Sequence, residues 1–161
     1  MSWSRRQVLA GAGLALLASC GFTPVYGPNG SADALRGAVR VADPVTDIDF
    51  AFLSRVEARL GAPDAPRYDL TYAITTSEVS LAIDGSNNIT RFNIEGRLSW
   101  QLTPLGGEAP VLTGAETGFT SYSASGSTIS TLESERDATR RLATILADKV
   151  VTRLLAEASG L

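Results

Sequence analysis

The 161-residue chain has no histidine, one cysteine and a single lysine, Lys149. Each scarcity removes a class of function. Without histidine, the commonest general base and the commonest metal-binding ring nitrogen are missing. One cysteine permits no disulfide within the chain and no thiolate-rich metal centre. Carboxylates are the metal ligands that remain, and no pair of acids stands out from the background, so neither a metal site nor a catalytic residue is expected. A hydrolase built on carboxylates would draw on acids such as Asp84 and Glu95. The balance of 14 basic against 17 acidic side chains argues against a nucleic-acid binder, which would carry a basic excess. There is no Gly-rich phosphate loop: Gly106–Gly107 opens no helical pattern.

Long apolar runs are scarce too. The run Val8–Ala18 has eleven residues, short of the roughly 20 that a membrane-spanning helix needs. It fits the apolar region of a signal peptide, roughly 7–15 residues, and it follows Arg5 and Arg6. Gly11 and Gly13 would weaken it as a buried helix, and it has no polar face. Residues 1–19 therefore read as a signal peptide. Leu17–Ala18–Ser19–Cys20 resembles the lipobox of bacterial lipoproteins: an aliphatic residue, two small residues, then cysteine. That resemblance implies cleavage between Ser19 and Cys20 and a covalent acyl lipid on Cys20 as the only attached group. Ser4–Arg5–Arg6–Gln7–Val8–Leu9 is similar to a twin-arginine export signal, and both that route and the general one stay open. Cleavage would leave 142 residues, enough for one domain, with 12 basic against 17 acidic side chains.

From Gly21 to Gly37 the chain has two prolines and four glycines, which predicts a flexible tether over residues 20–37. One domain is expected over residues 38–158. Val39 and Val41 share a face of a short strand at Ala38–Ala42. Thr46 or Asp47 can cap a helix that runs to Leu60, with Ile48, Phe52, Leu53, Val56 and Leu60 as its apolar stripe. A long strand follows from Arg67 to Ile83. Its alternation changes phase near Thr76–Glu78, which predicts a bulge or a change of covered face. Asp84–Asn88 reads as a hairpin loop. Ile89–Thr103 alternates strictly, with Phe92, Ile94, Leu98, Trp100 and Leu102 on one side and Arg91, Asn93, Glu95, Arg97, Ser99 and Gln101 on the other. A weaker strand spans Val111–Tyr122. Ser130 and Glu133 fit a capping box that opens a helix from Thr131 to Ala158, with Leu132, Leu142, Ala143, Leu146, Val150 and Leu154 as its stripe.

The predicted order is β-α-β-β-β-α. Two amphipathic helices and one half-polar sheet bury their apolar faces most simply as an α+β two-layer sandwich. Both helices then lie on one face of a four-stranded mixed sheet. The other sheet face is left to solvent or to a polar partner. Arg91, Arg97 and Asn93 are the candidate contacts there, since an arginine can grip a phosphate through two hydrogen bonds. Tyr68, Tyr72, Phe92, Trp100, Phe119 and Tyr122 read as core.

Cys20–Gly27, "CGFTPVYG", resembles the mature start of the LPS-assembly lipoproteins of Gram-negative bacteria, the LptE family. The stretch from Phe119 to Leu155 is similar to the alphaproteobacterial members, with Ser-Tyr after the last strand and an acidic-Arg-Asp-Ala entry into a long helix. The resemblance implies a non-catalytic lipoprotein, anchored by its lipid at the periplasmic face of the outer membrane. It would plug an LptD-type β-barrel translocon and contact lipopolysaccharide. A polar sheet face suits that place, because large barrel lumens are polar. The competing reading is an auxiliary lipoprotein of an ABC-type lipid transport system.

Overall fold

The strand that alternates most strictly in sequence lies inside the sheet. In a computed structural model of the chain, residues 30–83, 89–124 and 127–158 are described. The signal-like segment, Cys20 and the loop Asp84–Asn88 fall outside the described residues. Strand β3, Ile89–Pro104, buries Ile94, Leu98, Trp100 and Leu102 and exposes Arg91, Glu95, Arg97, Ser99 and Gln101. It is flanked antiparallel by β2, Tyr68–Ile83, and β4, Leu112–Ser123. The short β1, Val39–Val41, pairs parallel with the start of β2, Val39 opposite Tyr68. The strand order is β1-β2-β3-β4.

Three helices accompany the sheet among the described residues: α1, Ser31–Leu35, α2, Asp47–Leu60, and α3, Thr128–Glu157. This is the expected α+β sandwich, with α2 and α3 on one face of a four-stranded mixed sheet. Helix α1 lies within the stretch read as tether. Ala32 and Leu35 are buried there in the common core, so order begins before Gly37. Two apolar side chains one turn apart suffice to dock a single helical turn despite the flanking glycines.

A capping box starts α2. The Thr46 hydroxyl accepts from the Asp49 N–H, and the Asp49 carboxylate accepts from the Thr46 N–H. Phe52, Val56 and Leu60 are buried, and Gly61 ends the helix at φ +83°. Helix α3 starts one turn earlier than the sequence suggests. Ser127 is its cap, accepting from the Ser130 N–H, while the Glu133 carboxylate accepts from Arg136. Leu132 is exposed, because the first turns of α3 project past the start of α2. Further along, Ala138, Leu142, Ala143, Leu146, Ala147, Val150, Val151 and Leu154 are fully buried. Arg55 and Arg59 of α2 both reach Asp148 of α3, at 3.0 and 2.7 Å, and tie the helices together. Burial pushes the Asp148 carboxyl up, but hydrogen bonds and charge from Arg55 and then Arg59 outweigh it and hold the carboxyl below its ordinary value.

Glycines explain the weak alternation of β4. Gly96 and Gly118 are cross-strand neighbours on the covered face, and a β-carbon at Gly96 would meet the Leu142 side chain at 3.0 Å. Leu142 therefore seats in a slot that two missing side chains leave. Gly114 lies opposite Trp100, and a β-carbon there would stand 2.5 Å from the indole. These positions are inward-facing without being hydrophobic, so a hydropathy pattern does not register them.

The expected phase change in β2 takes another form. Pairing with β3 runs unbroken from Tyr68 to Ser80, and irregularity comes only between Ser80 and Ile83. Val79 is paired with Asn93 and stands, 44% exposed, on the face away from the helices. Helix α2 covers β2 only as far as Tyr72, which touches Phe52 at a ring separation of 4.5 Å, and Ile74, which is half-buried. From Thr75 to Leu81 every side chain is exposed.

Candidate functional site: the open sheet face

The face opposite the helices is built from alternate residues of three strands. Along β3 it presents Arg91, Asn93, Glu95, Arg97, Ser99 and Gln101. Beside them β2 presents Val79, Ser77, Thr75, Ala73 and Thr71, and β4 presents Ser123, Ser121, Phe119, Thr117, Ala115 and Thr113. Small hydroxyl and methyl side chains thus surround a central charged row, an even, weakly polar surface that hydrogen-bonds readily and repels little.

The three residues singled out from sequence come together on this one face. Arg91 and Arg97 are exposed, and Asn93 between them is half-buried. The two arginines stand about 20 Å apart, six residues at roughly 3.4 Å each. They would therefore meet two separate anionic groups rather than grip one. Elsewhere most guanidiniums have carboxylate partners: Arg40 with Asp69, Arg55 and Arg59 with Asp148, Arg136 with Glu133, Arg140 and Arg141 with Asp137, Arg153 with Glu157. Neither Arg91 nor Arg97 takes part in an ion pair among the described residues. Two of the arginines without a carboxylate partner among the described residues thus stand on the open face. Asp84, the other carboxylate considered for hydrolysis, lies outside the described residues, and Glu95 stands exposed in the row with Arg97.

Two side chains join the face that the sequence did not assign to it. Phe119, expected in the core, is 69% exposed and sits opposite Glu95. Its odd position in β4, out of step with Tyr122 and the inward glycines, was the available signal. Lys149 arrives from α3. Its ammonium donates to the Thr117 carbonyl, and it helps to line a concavity of about 380 Å³ with Arg97, Glu95, Thr117 and Phe119. Nothing in the sequence links Lys149 to Thr117, because helix packing alone brings them together. A second shallow concavity, about 400 Å³, lies over Thr71, Ala73, Ser99, Gln101 and Thr113. Among the described residues no group of three or more acidic, cysteine or histidine side chains could hold a metal, and no helix is long and apolar enough to cross a membrane.

The far end of the covered face has its own lock. Phe92 and Tyr122 stack at 5.3 Å, and the Tyr122 hydroxyl donates to Glu78 at 3.0 Å. Burial, then that bond and the charge of Glu78, raise the Tyr122 hydroxyl to about 12.

Comparison with known proteins gives this geometry a context. The model of the family described as LptE, lipopolysaccharide-assembly, matches residues 32–154. No curated protein matches the chain. Among solved structures, a candidate lipoprotein from Caulobacter crescentus CB15 superposes with a TM-score of 0.67 at 14% identity, covering 81% of this chain and 97% of that one. The rare lipoprotein B of Shewanella oneidensis gives 0.55 at 10% identity, over 74% and 92% of the two chains. A minor lipoprotein of Acinetobacter baumannii gives 0.55 at 15%, over 74% and 89%. At such identities these structures share the fold.

Proposed function

Since the chain belongs to the LptE family of lipopolysaccharide assembly, we propose that it serves that process as a non-catalytic outer-membrane lipoprotein, seated inside an LptD-type β-barrel. Cleavage between Ser19 and Cys20 frees the amine of Cys20, and acyl chains on that residue hold the domain at the periplasmic face. Stable anchoring takes two membrane signals, and a diacylated or triacylated cysteine exceeds that threshold. The rest of residues 20–37 up to α1 links the lipid to the domain.

The observation that carries the reading is the open sheet face. It is broad, covered with Ser, Thr and Ala, and holds two arginines that form no ion pair among the described residues. A polar barrel lumen is a fitting environment for such a surface. Arg91, Arg97 and Asn93 are the residues we assign to contact with the barrel or with lipopolysaccharide phosphate. Gentle detergent extraction of the intact lipoprotein, followed by affinity capture, tests the partner. A large β-barrel protein is expected to come with it. Capture of an inner-membrane transporter subunit instead would select the reading as an auxiliary lipoprotein of an ABC-type lipid transport system. Mass spectrometry of the exported protein tests the anchor, and a bare thiol at Cys20 would overturn it. Cys20→Ser is expected to leave an unprocessed or membrane-free chain.

A further inference from the structure

The hydrogen-bond registry of the sheet leaves the outer edge of β4 only partly closed. The Ala124 N–H donates to the Thr90 carbonyl, in register with the β3–β4 pairing, so even-numbered residues of β4 bond to β3. On the other side of β3, the Leu105 N–H donates to Arg67, which assigns the odd residues of β3 to β2. Backbone groups in an antiparallel ladder alternate sides, so the odd residues of β4 turn their N–H and C=O away from the sheet. Two contacts from α3 agree independently: Lys149 donates to the Thr117 carbonyl and Arg141 to the Ser121 carbonyl. Between these two capped positions stands Phe119. At the opposite side β1 has only three residues and pairs with β2 only from Tyr68 to Leu70, so the outer edge of β2 beyond Leu70 is open as well. The twelve-residue β4, which has no proline, is the edge whose outward carbonyls meet cations.

We propose that the free edge of β4, from Thr113 to Ser121, accepts an extended peptide strand bearing carboxylates. The backbone demands a strand, since only another strand offers complementary N–H and C=O groups at the same spacing. The charge at the edge selects its side chains. Lys149 and Arg141 lie along it on long exposed stems, and Arg97 adds a third cation one strand inward. An entering strand takes over the carbonyls of Thr117 and Ser121, and the released cations pair with its carboxylates. Glu95, Glu116 and Asp137 are the acids nearby; Glu116, inward in β4, lies 3.8 Å from Arg153, and Asp137 is already paired with Arg140 and Arg141. A second copy of this chain fits poorly. Two β4 edges would oppose Lys149 and Arg141 to the same cations, and no odd residue from Thr113 to Ser121 is acidic. By the same logic the two cations guard against self-association until the acidic strand arrives.

Hydrogen exchange on the full chain in detergent tests this. The probe is an alternating Thr-Glu peptide of about ten residues, long enough to cover the edge at 3.4 Å per residue. At millimolar peptide, exchange of the Thr117, Phe119 and Ser121 amides is expected to slow by about tenfold or more. A Thr-Lys peptide should give no slowing with the native chain. It should give it with the double variant Lys149→Glu, Arg141→Glu. Phe119→Pro removes an outward N–H without touching the pairing to β3, and should abolish protection while the thermal melt stays cooperative. Absence of protection with the acidic peptide, or equal protection by both peptides, overturns the proposal. Protection in concentrated protein without peptide overturns it in favour of self-pairing. None of these outcomes depends on what the affinity capture recovers.

Discussion

The two ends of the sheet are built on different terms. At the end near β1, strands β2 and β3 lie under α2 and α3, and Leu70, Trp100 and Leu102 are at most 1% exposed. At the far end, β2 from Thr75 to Leu81 has both faces in solvent, and the first turns of α3 run past the start of α2. The same strand is therefore covered as far as Ile74 and a ribbon beyond it. Stability should concentrate at the first end, while the second is free to vary its surface for contact.

The largest effects should come from the packed end. Trp100→Ala removes a fully buried indole and leaves the slot beside Gly114 empty, at a cost of about 3–5 kcal/mol in chemical denaturation. Gly114→Ala probes the same contact from the other side. Its new methyl meets the indole, and overpacking of that kind costs about 1–3 kcal/mol. A loss below 0.5 kcal/mol for either would mean that the slot is not as tight as described.

Asp148→Asn sits at an intermediate level. It leaves Arg55 and Arg59 without their shared carboxylate, and about 1–2 kcal/mol is expected for hydrogen bonds to charged groups at a half-exposed site. The pH dependence has a fixed sign. The folded pKa of Asp148 lies below its unfolded value near 3.9, so its stabilisation is full above that value and fades as pH falls through the folded pKa. Acid melts of the native chain and of Asp148→Asn should converge as that window is crossed. Tyr122 works in the opposite direction, since its folded value is raised. Its stabilisation is complete below about pH 10 and is lost as the pH rises towards 12. Tyr122→Phe should flatten the alkaline limb.

The smallest effects should come from the ribbon and the open face. Val79→Thr and Arg97→Ser should each move stability by no more than about 0.5 kcal/mol. Under the proposed function, Arg97→Ser should nonetheless lower recovery of the barrel or of lipopolysaccharide in the detergent capture. A large stability change at Val79 would show that the far end is braced by something other than α3.

Much of this was legible from periodicity. The β3 alternation, the cap at Thr46 and the buried stripes of both helices follow from local spacing, which burial reads directly. Phe119 is misassigned by its hydrophobicity, which points to the core, while its odd position sets it against the inward Gly118, Thr120 and Tyr122. The Val79 region was misleading for a related reason. Alternation records where apolar side chains fall, not whether a helix arrives to cover them, and the length of α2 settles that.

The sequence by itself determined the scarcity of reactive side chains, the order of elements and the division of the sheet into an apolar and a polar face. All of these rest on residue identity and short-range spacing. Only the tertiary structure decided which half of the sheet is covered, which cations lack partners and where Lys149 and Arg141 meet the β4 edge. Those depend on where helices of fixed length stop over strands of greater length, a relation between distant segments that no local pattern encodes.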